Sequence, residues 1–162
     1  MTTATAVGYV EMRIAKVVGL GEADDEPFHQ YVVLEELSSD RQLAIAIGHA
    51  EAFSLAARLG GITWPRPMTY QFAAALVQAL GGRVRQVRIE RVVEDTYIAT
   101  VEVEGPPGVQ LVDARPSDAL NLATLVQAPI LPPPRCCKRR RPDAQVTPLR
   151  RRACVGRWQL HR

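Results

Sequence analysis

Short apolar segments separated by glycine- and proline-rich turns most constrain what this chain can fold into. The segments 10–20, 31–36 and 43–47 are rich in β-branched residues and are bounded by turn residues, which is typical of strands. The connections are short enough for hairpins, and hairpins join antiparallel strands. The segment 43–47 is almost wholly apolar, which predicts a buried central strand.

Three other segments repeat apolar residues with helical spacing and are predicted as helices at 51–59, 69–80 and 116–127. Glycine pairs at 60–61 and 81–82 end the first two. The residues predicted to face the core are Phe53, Ala56 and Ala57 on the first helix, Phe72, Leu76 and Leu80 on the second, and Ala119, Leu122, Ala123 and Val126 on the third.

The remaining strands are predicted at 84–92, 97–103 and 109–113, which gives the order βββαα followed by βββα. This order predicts an α+β fold with mainly antiparallel β-sheets and about three helices in a single compact domain. If the strand 84–92 is regular, Arg85 and Arg88 lie on opposite faces.

Charge divides the chain into two parts. Residues 1–130 contain 10 Lys and Arg against 16 Asp and Glu, a net charge of −6, whereas 131–162 contain 10 against 1, a net charge of +9. Three prolines at 132–134 interrupt regular structure at the boundary. We therefore expect a domain over 1–131 and a basic tail over 132–162, rich in Pro, Arg and Cys. That tail is either disordered and solvated or a polybasic arm that binds phosphate backbones.

Composition and cysteine spacing exclude several classes of protein. The chain is 47% hydrophobic and 23% charged, which is ordinary for a globular protein. All three cysteines lie in the basic tail, and their spacing matches neither a disulfide framework nor a zinc site. No glycine-rich phosphate loop occurs, and no apolar run approaches the roughly 18 residues of a membrane span. With no secretory signal visible at the amino terminus, we expect a cytoplasmic protein without a membrane partner.

Two of the predicted helices begin with the same pattern, an Arg-Pro pair followed by a hydroxyl residue. It covers Arg66 to Thr69 before the second helix and Arg115 to Ser117 before the third. Proline suits the first helical turn, and Thr69 and Ser117 are predicted N-caps. Arginine beside the positive end of a helix dipole requires a negative group, which is either a neighbouring carboxylate such as Asp118 or a bound anion.

Three motifs occur together as in a known domain family. They are Glu51 with Ala52 after an apolar strand that ends in Ile-Gly, the Arg-Pro-Met-Thr run at 66–69, and the Asp-Ala-Arg-Pro-Ser-Asp-Ala run at 113–119. Over about residues 10–131 the chain resembles the bifunctional nuclease (BFN) domain family. The resemblance implies an α+β fold, a cytoplasmic bacterial protein, and self-association as a homodimer or higher homo-oligomer. Plant members of that family are assigned combined RNase and DNase activity.

The resemblance also implies a site for phosphodiester hydrolysis, with nucleic acid as the partner. Carboxylates that hold a divalent metal ion, Mg²⁺ or Mn²⁺, activate water, and arginines neutralise the phosphate. The alternative is that the same carboxylates serve only as helix-terminal charges and as partners of arginine. The implied catalytic and metal-binding residues are Glu51, Asp113 and Asp118, and the implied substrate-binding residues are Arg66, Thr69, Arg115 and Ser117.

One departure from the family bears on catalysis. The family usually continues the Arg-Pro-x-Thr motif with His-Asp, but this chain has Tyr70 and Gln71, which are neutral at pH 7. Three hypotheses follow: a low-specificity nuclease, a catalytically degenerate member that acts as a nonenzymatic binding or regulatory module, and a structural scaffold. Among weaker candidates, His49 is a general base or a polar surface residue, and Trp64 either stacks on a base or packs over its loop.

Overall fold

The structure, a computed structural model, describes residues 8–19, 30–93 and 96–139. Each helix in these ranges has 11 residues and is neither long enough nor apolar enough to cross a membrane. In chain order the elements are β1 (Met12–Val18), β2 (Gln30–Glu36), β3 (Arg41–Ile47), α1 (His49–Leu59), α2 (Thr69–Ala79), β4 (Arg83–Val93), β5 (Thr96–Gly105), β6 (Gly108–Ala114), α3 (Pro116–Val126), β7 (Ile130–Leu131), a 3₁₀ turn (Pro134–Cys136) and β8 (Lys138–Arg139).

The strands form one sheet in the order β6-β5-β4-β7-β1-β2-β3-β8. Each pairing is antiparallel except that between β4 and the two-residue β7, which is parallel. β7 therefore joins a sheet half built from β1 to β3 with a half built from β4 to β6. The predicted α+β fold with a mainly antiparallel sheet and three helices is confirmed.

The core lies between the sheet and the helices. α1 packs on β1 and β2, α3 packs on β4 and β5, and α3 also contacts both other helices. Strand side chains alternate between the two faces, so every second residue of these strands faces the helices. The most completely buried members of this core are Val32, Leu34, Ala52, Leu55, Val87, Ile89, Ala99, Ala119, Leu120 and Ala123.

β3 is not the buried central strand that its apolar sequence predicts. Leu43, Ile45 and Ile47 face the core, but Ala44 and Ala46 point to the other face and are exposed. β3 has only the two-residue β8 beyond it and has helices on one face. Because the exposed face of β3 carries alanines rather than polar residues, the sequence suggested that both faces of this strand are buried.

The apolar faces of the first two helices also differ from the prediction. α1 buries Ala52, Leu55 and Ala57, whereas Phe53 is exposed. α2 buries only Ala74 because it packs on α3 and β4 along a narrow face. The predicted core residues that the structure leaves exposed on α2 are Phe72, Leu76 and Leu80.

A β-bulge in β4 overturns the expected arrangement of its arginines. The pairing with β5 shifts register between Val84 and Gln86. An extra residue in one strand reverses the faces of the residues that follow it. Arg85 and Arg88 therefore lie on the same face, and both approach Glu102, at 3.5 and 4.0 Å.

The packed structure continues past residue 131, where the sequence suggested that the domain ends. The amide of Val10 donates to the carbonyl of the buried Pro132 at 3.1 Å, and β8 adds a short strand beside β3. Cys136 and Cys137 pack against the core. Residues 140–162, with the rest of the predicted basic tail and Cys154, lie outside the described residues.

Candidate functional site

A cavity of about 370 Å³ opens where α1, α3, the start of α2 and the loop before α2 meet. α1 contributes Glu51 and Arg58, the loop contributes Trp64, and α3 contributes Asp118 together with its N-cap residue Arg115. The volume falls in the range of roughly 300–1,000 Å³ that is usual for small-molecule sites. The starts of α2 and α3, which share the Arg-Pro pattern in the sequence, therefore meet at one cavity.

Arg115 connects two carboxylates in the lining of this cavity. Its Nε donates to Asp118 Oδ2 at 2.6 Å, and its Nη2 donates to Asp118 Oδ1 at 3.0 Å and to Glu51 Oε1 at 2.7 Å. The Arg115 side chain is 66% exposed, whereas that of Glu51 is 16% exposed. We call Glu51, Arg115 and Asp118 the carboxylate–arginine cluster. The sequence allowed either a neighbouring carboxylate or a bound anion as the partner of Arg115, and in the structure the partners are carboxylates.

Tyr70 adds a hydrogen-bond donor to this cluster. Its hydroxyl donates to Asp118 Oδ1 at 2.7 Å. Burial and the bond to Asp118 raise the pKa of Tyr70, so the hydroxyl keeps its proton. Burial by itself raises the pKa of Asp118, but the hydrogen bonds from Arg115 and Tyr70 outweigh it and the pKa is lowered. Asp118 is therefore a carboxylate at neutral pH, held between two donors.

Glu51 is positioned by the backbone around it. It is the third residue of α1, and its carboxylate lies back against the N-cap residue Gly48, where the helix dipole favours negative charge. A Cβ atom at Gly48 would collide with Glu51 Oε2. The Asn121 amide donates to the carbonyl of Glu51 at 3.1 Å and to that of Ser117 at 2.9 Å, which ties α1 to α3.

The N-caps differ from those predicted. α2 starts after Met68, whose amide donates to Gln71 Oε1 at 2.7 Å, so Thr69 is the first helical residue and lines the cavity. α3 starts after Arg115, and Ser117 is buried inside its first turn. Gln71 therefore accepts from the N-cap amide of α2, Pro116 begins α3 without an N–H to satisfy, and neither Thr69 nor Ser117 is an N-cap.

Asp113 and Arg66 do not join the cluster. Asp113, on β6, pairs in register with Thr100 of β5, one residue away from Val112, whose partner Val101 faces the core. Strand alternation therefore turns Asp113 to the face of the sheet opposite the helices, where it is exposed. Arg66 is exposed in the loop before α2, does not line the cavity, and makes no ion pair with the described residues.

The donors in the cavity do not fit a divalent metal ion as they are arranged. The described residues contain no group of three or more His, Cys, Asp or Glu that is placed to hold an ion. The two carboxylates that the cavity offers already bind the guanidinium of Arg115. Magnesium requires several oxygen ligands with near-octahedral geometry, and a neighbouring cation disfavours it. The chemistry of this site is therefore derived from side chains alone.

Sequence reasoning missed several residues that shape the cavity. Asn121 lies one helical turn after Asp118, so the spacing of α3 could have indicated it. Phe53 was predicted to face the core and Arg58 was given no role, yet both line the cavity. Nothing in the sequence indicated that Gly48 leaves room for the Glu51 carboxylate, apart from its position at the end of a strand.

The arrangement combines a cation with a proton acceptor in an open cavity. Arg115 uses Nε and Nη2 for the carboxylates, and its Nη1 bonds to none of the described residues. Nη1 is thus available to a phosphate or another anion. Glu51 receives one bond from Arg115 and supplies a carboxylate that can accept a proton beside that anion.

Comparison with known proteins agrees with the resemblance seen in the sequence. The family model described as "Bifunctional nuclease domain" matches residues 32–141. A Mycobacterium tuberculosis protein that is named as uncharacterised is 36% identical over 116 residues, which cover 71% of this chain and 68% of that protein.

Two plant relatives carry the name bifunctional nuclease 1. The protein of Oryza sativa subsp. japonica is 32% identical over 110 residues, covering 66% of this chain and 33% of its own length. The protein of Arabidopsis thaliana is 30% identical over 114 residues, covering 68% and 35%. The aligned region spans about a third of each plant protein. The family model matches more than half of the length of this chain, and the chain therefore belongs to the bifunctional nuclease domain family.

Proposed function

We propose that this protein is a low-specificity nuclease that hydrolyses phosphodiester bonds of RNA or DNA at the carboxylate–arginine cluster. The observation that carries the proposal is Arg115, which two carboxylates hold in the lining of an open cavity with Nη1 unused by the described residues. Membership of the family and the names of the plant relatives support the substrate class. A cytoplasmic location stays a prediction of the sequence.

In this mechanism the cluster residues have separate roles. Arg115 binds a non-bridging phosphate oxygen and stabilises the charge that builds up during attack. Glu51 accepts a proton from the attacking water as its oxygen bonds to phosphorus, because its carboxylate has one bond from Arg115 whereas Asp118 has three donor contacts. The P–O bond to the leaving sugar oxygen breaks, and that oxygen takes up a proton from solvent water. Asp118 acts as a positioning residue that holds the guanidinium. Thr69, at the cavity, and Arg66, in the loop beside it, supply further phosphate contacts.

A divalent metal ion, Mg²⁺ or Mn²⁺, is a separate proposal for Glu51 and Asp118. It requires Arg115 to release at least one of them, since both bind its guanidinium in the structure. For Asp113 to act as a catalytic or metal-binding residue, a conformational change must bring it from the opposite face of the sheet to the cavity. Cleavage assays with each ion and with EDTA separate metal-assisted hydrolysis from hydrolysis by side chains.

The test is cleavage of labelled single- and double-stranded RNA and DNA by the full chain. Glu51→Gln and Arg115→Met each remove one proposed role and are expected to lower the rate about 100-fold or more. Glu104→Gln is the matched control, because Glu104 pairs with Arg83 on an exposed surface outside the cavity. Asp113→Asn is expected to retain activity. Absence of cleavage under every condition, or full activity of both cluster variants, contradicts the proposal.

The second candidate function is a nonenzymatic binding module, and Tyr70 favours it. Tyr70 stands where the family usually has histidine, and its raised pKa keeps it from acting as a base. Gln71, in place of the family's aspartate, is occupied in capping α2. If wild type binds nucleic acid without cutting it, we expect the double variant Tyr70→His, Gln71→Asp to gain cleavage. Cleavage of nucleic acid by the wild type rejects this reading.

We also propose that the protein forms a homodimer through the exposed stripe of α2. Phe72, Leu76 and Leu80 are 59%, 47% and 78% exposed, and α2 contains no charged residue. Monomeric proteins seldom expose so continuous an apolar strip. Light scattering of wild type is expected to give the mass of a dimer, and Leu76→Glu that of a monomer. Leu37→Glu, at a similarly exposed position in the turn after β2, is the control; a monomeric wild type contradicts the proposal.

A further inference from the structure

Two aromatic side chains stand at the rim of the cavity with their rings in contact and half uncovered. The ring centroids of Phe53 and Trp64 are 6.2 Å apart, and the ring planes are tilted by 47°. Phe53 is 48% exposed and Trp64 is 41% exposed. Both line the same cavity as the carboxylate–arginine cluster. Neither ring has the burial that a purely structural aromatic side chain reaches.

The local sequence holds this pair in place. Phe53 projects from the second turn of α1, and its backbone is fixed by the helix. Trp64 precedes Pro65, which restricts the backbone before it to extended conformations. The two rings come from segments 11 residues apart and meet only because α1 ends at Leu59 and the chain turns back toward the cavity. The exposed ring faces are therefore a preformed surface.

Two cations line the cavity together with the aromatic pair. Arg115 binds Glu51 in the first turn of α1, and Arg58 lines the cavity from the last turn of α1. The helical rise places these ends about 10 Å apart along the axis, with Phe53 between them. Arg58 makes no ion pair with the described residues. The order along α1 is thus a bound cation, an aromatic surface and a second cation.

We propose that Phe53 and Trp64 form a stacking platform for one unpaired base, so that the site takes single-stranded nucleic acid. Bases of every kind stack on exposed aromatic rings, whereas a duplex keeps its bases inside. Arg115 and Arg58 then contact the phosphates that flank the stacked nucleotide. That the bound single strand is also cleaved rests on the proposed nuclease function, whereas its binding to the platform does not.

Binding measured without cleavage tests the platform. The probes are a short single-stranded DNA oligomer and the same oligomer with abasic sugars, each titrated in EDTA and followed by fluorescence anisotropy. Wild type is expected to bind the oligomer with bases about 10-fold more tightly than the abasic one. Trp64→Leu is expected to lose that preference while its affinity for the abasic oligomer stays unchanged.

Two further variants keep the experiment decisive. Phe53→Leu removes the other, half-exposed ring and is expected to lose most of the preference as well, so it takes the place of Trp64→Leu if the latter fails to fold. Leu37→Ala removes another exposed apolar side chain, outside the cavity, and is expected to change neither affinity. Equal affinity of wild type for both oligomers overturns the platform.

The two proposals fail in different ways. A wild type that prefers the oligomer with bases but cuts nothing supports the platform and contradicts the nuclease function. A wild type that cuts nucleic acid and shows no preference for bases contradicts the platform and leaves the nuclease function standing.

Discussion

Arg115 is the residue on which the candidate site depends. It is the N-cap of α3, so its backbone starts a helix while its side chain is free to reach the start of α1. Its hydrogen bonds to Asp118 and then Glu51 raise its pKa, which keeps the guanidinium charged at any pH at which the protein folds. The planar fork of arginine binds two carboxylates at once, which the single ammonium of lysine cannot reproduce.

Gly48→Ala is expected to impair the site with little effect on stability. The backbone of Gly48 has φ −73° and ψ 160°, which alanine adopts freely, but the new Cβ displaces the carboxylate of Glu51. We expect nuclease activity to fall about 10-fold and the melting temperature to change by a few degrees at most. Gly60→Ala, at the other end of α1, is the control. Unchanged activity of Gly48→Ala shows that the position of Glu51 is not critical.

Tyr70→Phe is expected to change the pH dependence of activity. The hydroxyl of Tyr70 favours the ionised form of Asp118, so its removal raises the pKa of Asp118. The acid limb of the pH–rate profile should therefore move to higher pH, and the loss of one hydrogen bond should cost about 1 kcal/mol of stability. Rates across the acid range for wild type and variant check this. A limb that moves to lower pH contradicts the assignment.

At the scale of elements, the β2–β3 hairpin is held by a polar cluster around Glu36. Arg41 donates to Glu36 Oε2 at 2.6 Å and to Oε1 at 3.0 Å, and Ser38 and Ser39 donate to the same carboxylate. Only 8% of Glu36 is exposed. The bond from Arg41 and then that from Ser39 hold the pKa of Glu36 at about 2, below its usual 4.5.

This cluster predicts a loss of stability in acid. A carboxylate whose pKa is lowered in the folded state stabilises the fold above its unfolded pKa, near 4.5, and loses that contribution as the pH falls toward about 2. Wild type should therefore be more stable than Glu36→Gln at neutral pH, and the difference should shrink between about pH 5 and about pH 2. Urea denaturation across this range measures it.

Glu35→Gln is the control for the hairpin, because Glu35 pairs with Arg13, whose side chain is 69% exposed. Exposed ion pairs contribute roughly 0–1 kcal/mol, so this variant should be close to wild type throughout. A difference between wild type and Glu36→Gln that does not depend on pH contradicts the role given to the Glu36 carboxylate.

At the scale of the whole molecule, the sheet depends on the residues that follow α3. β7 pairs with both β1 and β4 and joins the two halves of the sheet, and the following segment covers the core with Pro132, Cys136 and Cys137. A chain that ends at residue 131 loses that cover and β8. We expect it to be less stable than a chain that ends at 139 by about 2 kcal/mol or more. Equal denaturation midpoints of the two truncated chains contradict this.

Local patterns of apolar residues in the sequence predicted much of the fold. Alternating and helical spacing located each strand and helix among the described residues except the short β7 and β8, since the period of apolar residues depends only on neighbours in the chain. The Arg115–Asp118 pair was also visible, because it lies within one helical turn. Which helix faces are covered was not visible, because Phe53 and Leu76 have the apolar character of core residues and only the packing of α1 and α2 leaves them exposed.

The sequence by itself determined the α+β class, the antiparallel hairpins and the helix starts that carry Arg115 and Asp118. Only the tertiary structure decided that Glu51, 64 residues before Arg115, contacts it, and that Asp113, two residues before Arg115, does not. The physical reason is that strand alternation and sheet register fix which side of the molecule a residue faces. A side chain next in sequence can therefore lie across the sheet, while one from a distant helix meets the site.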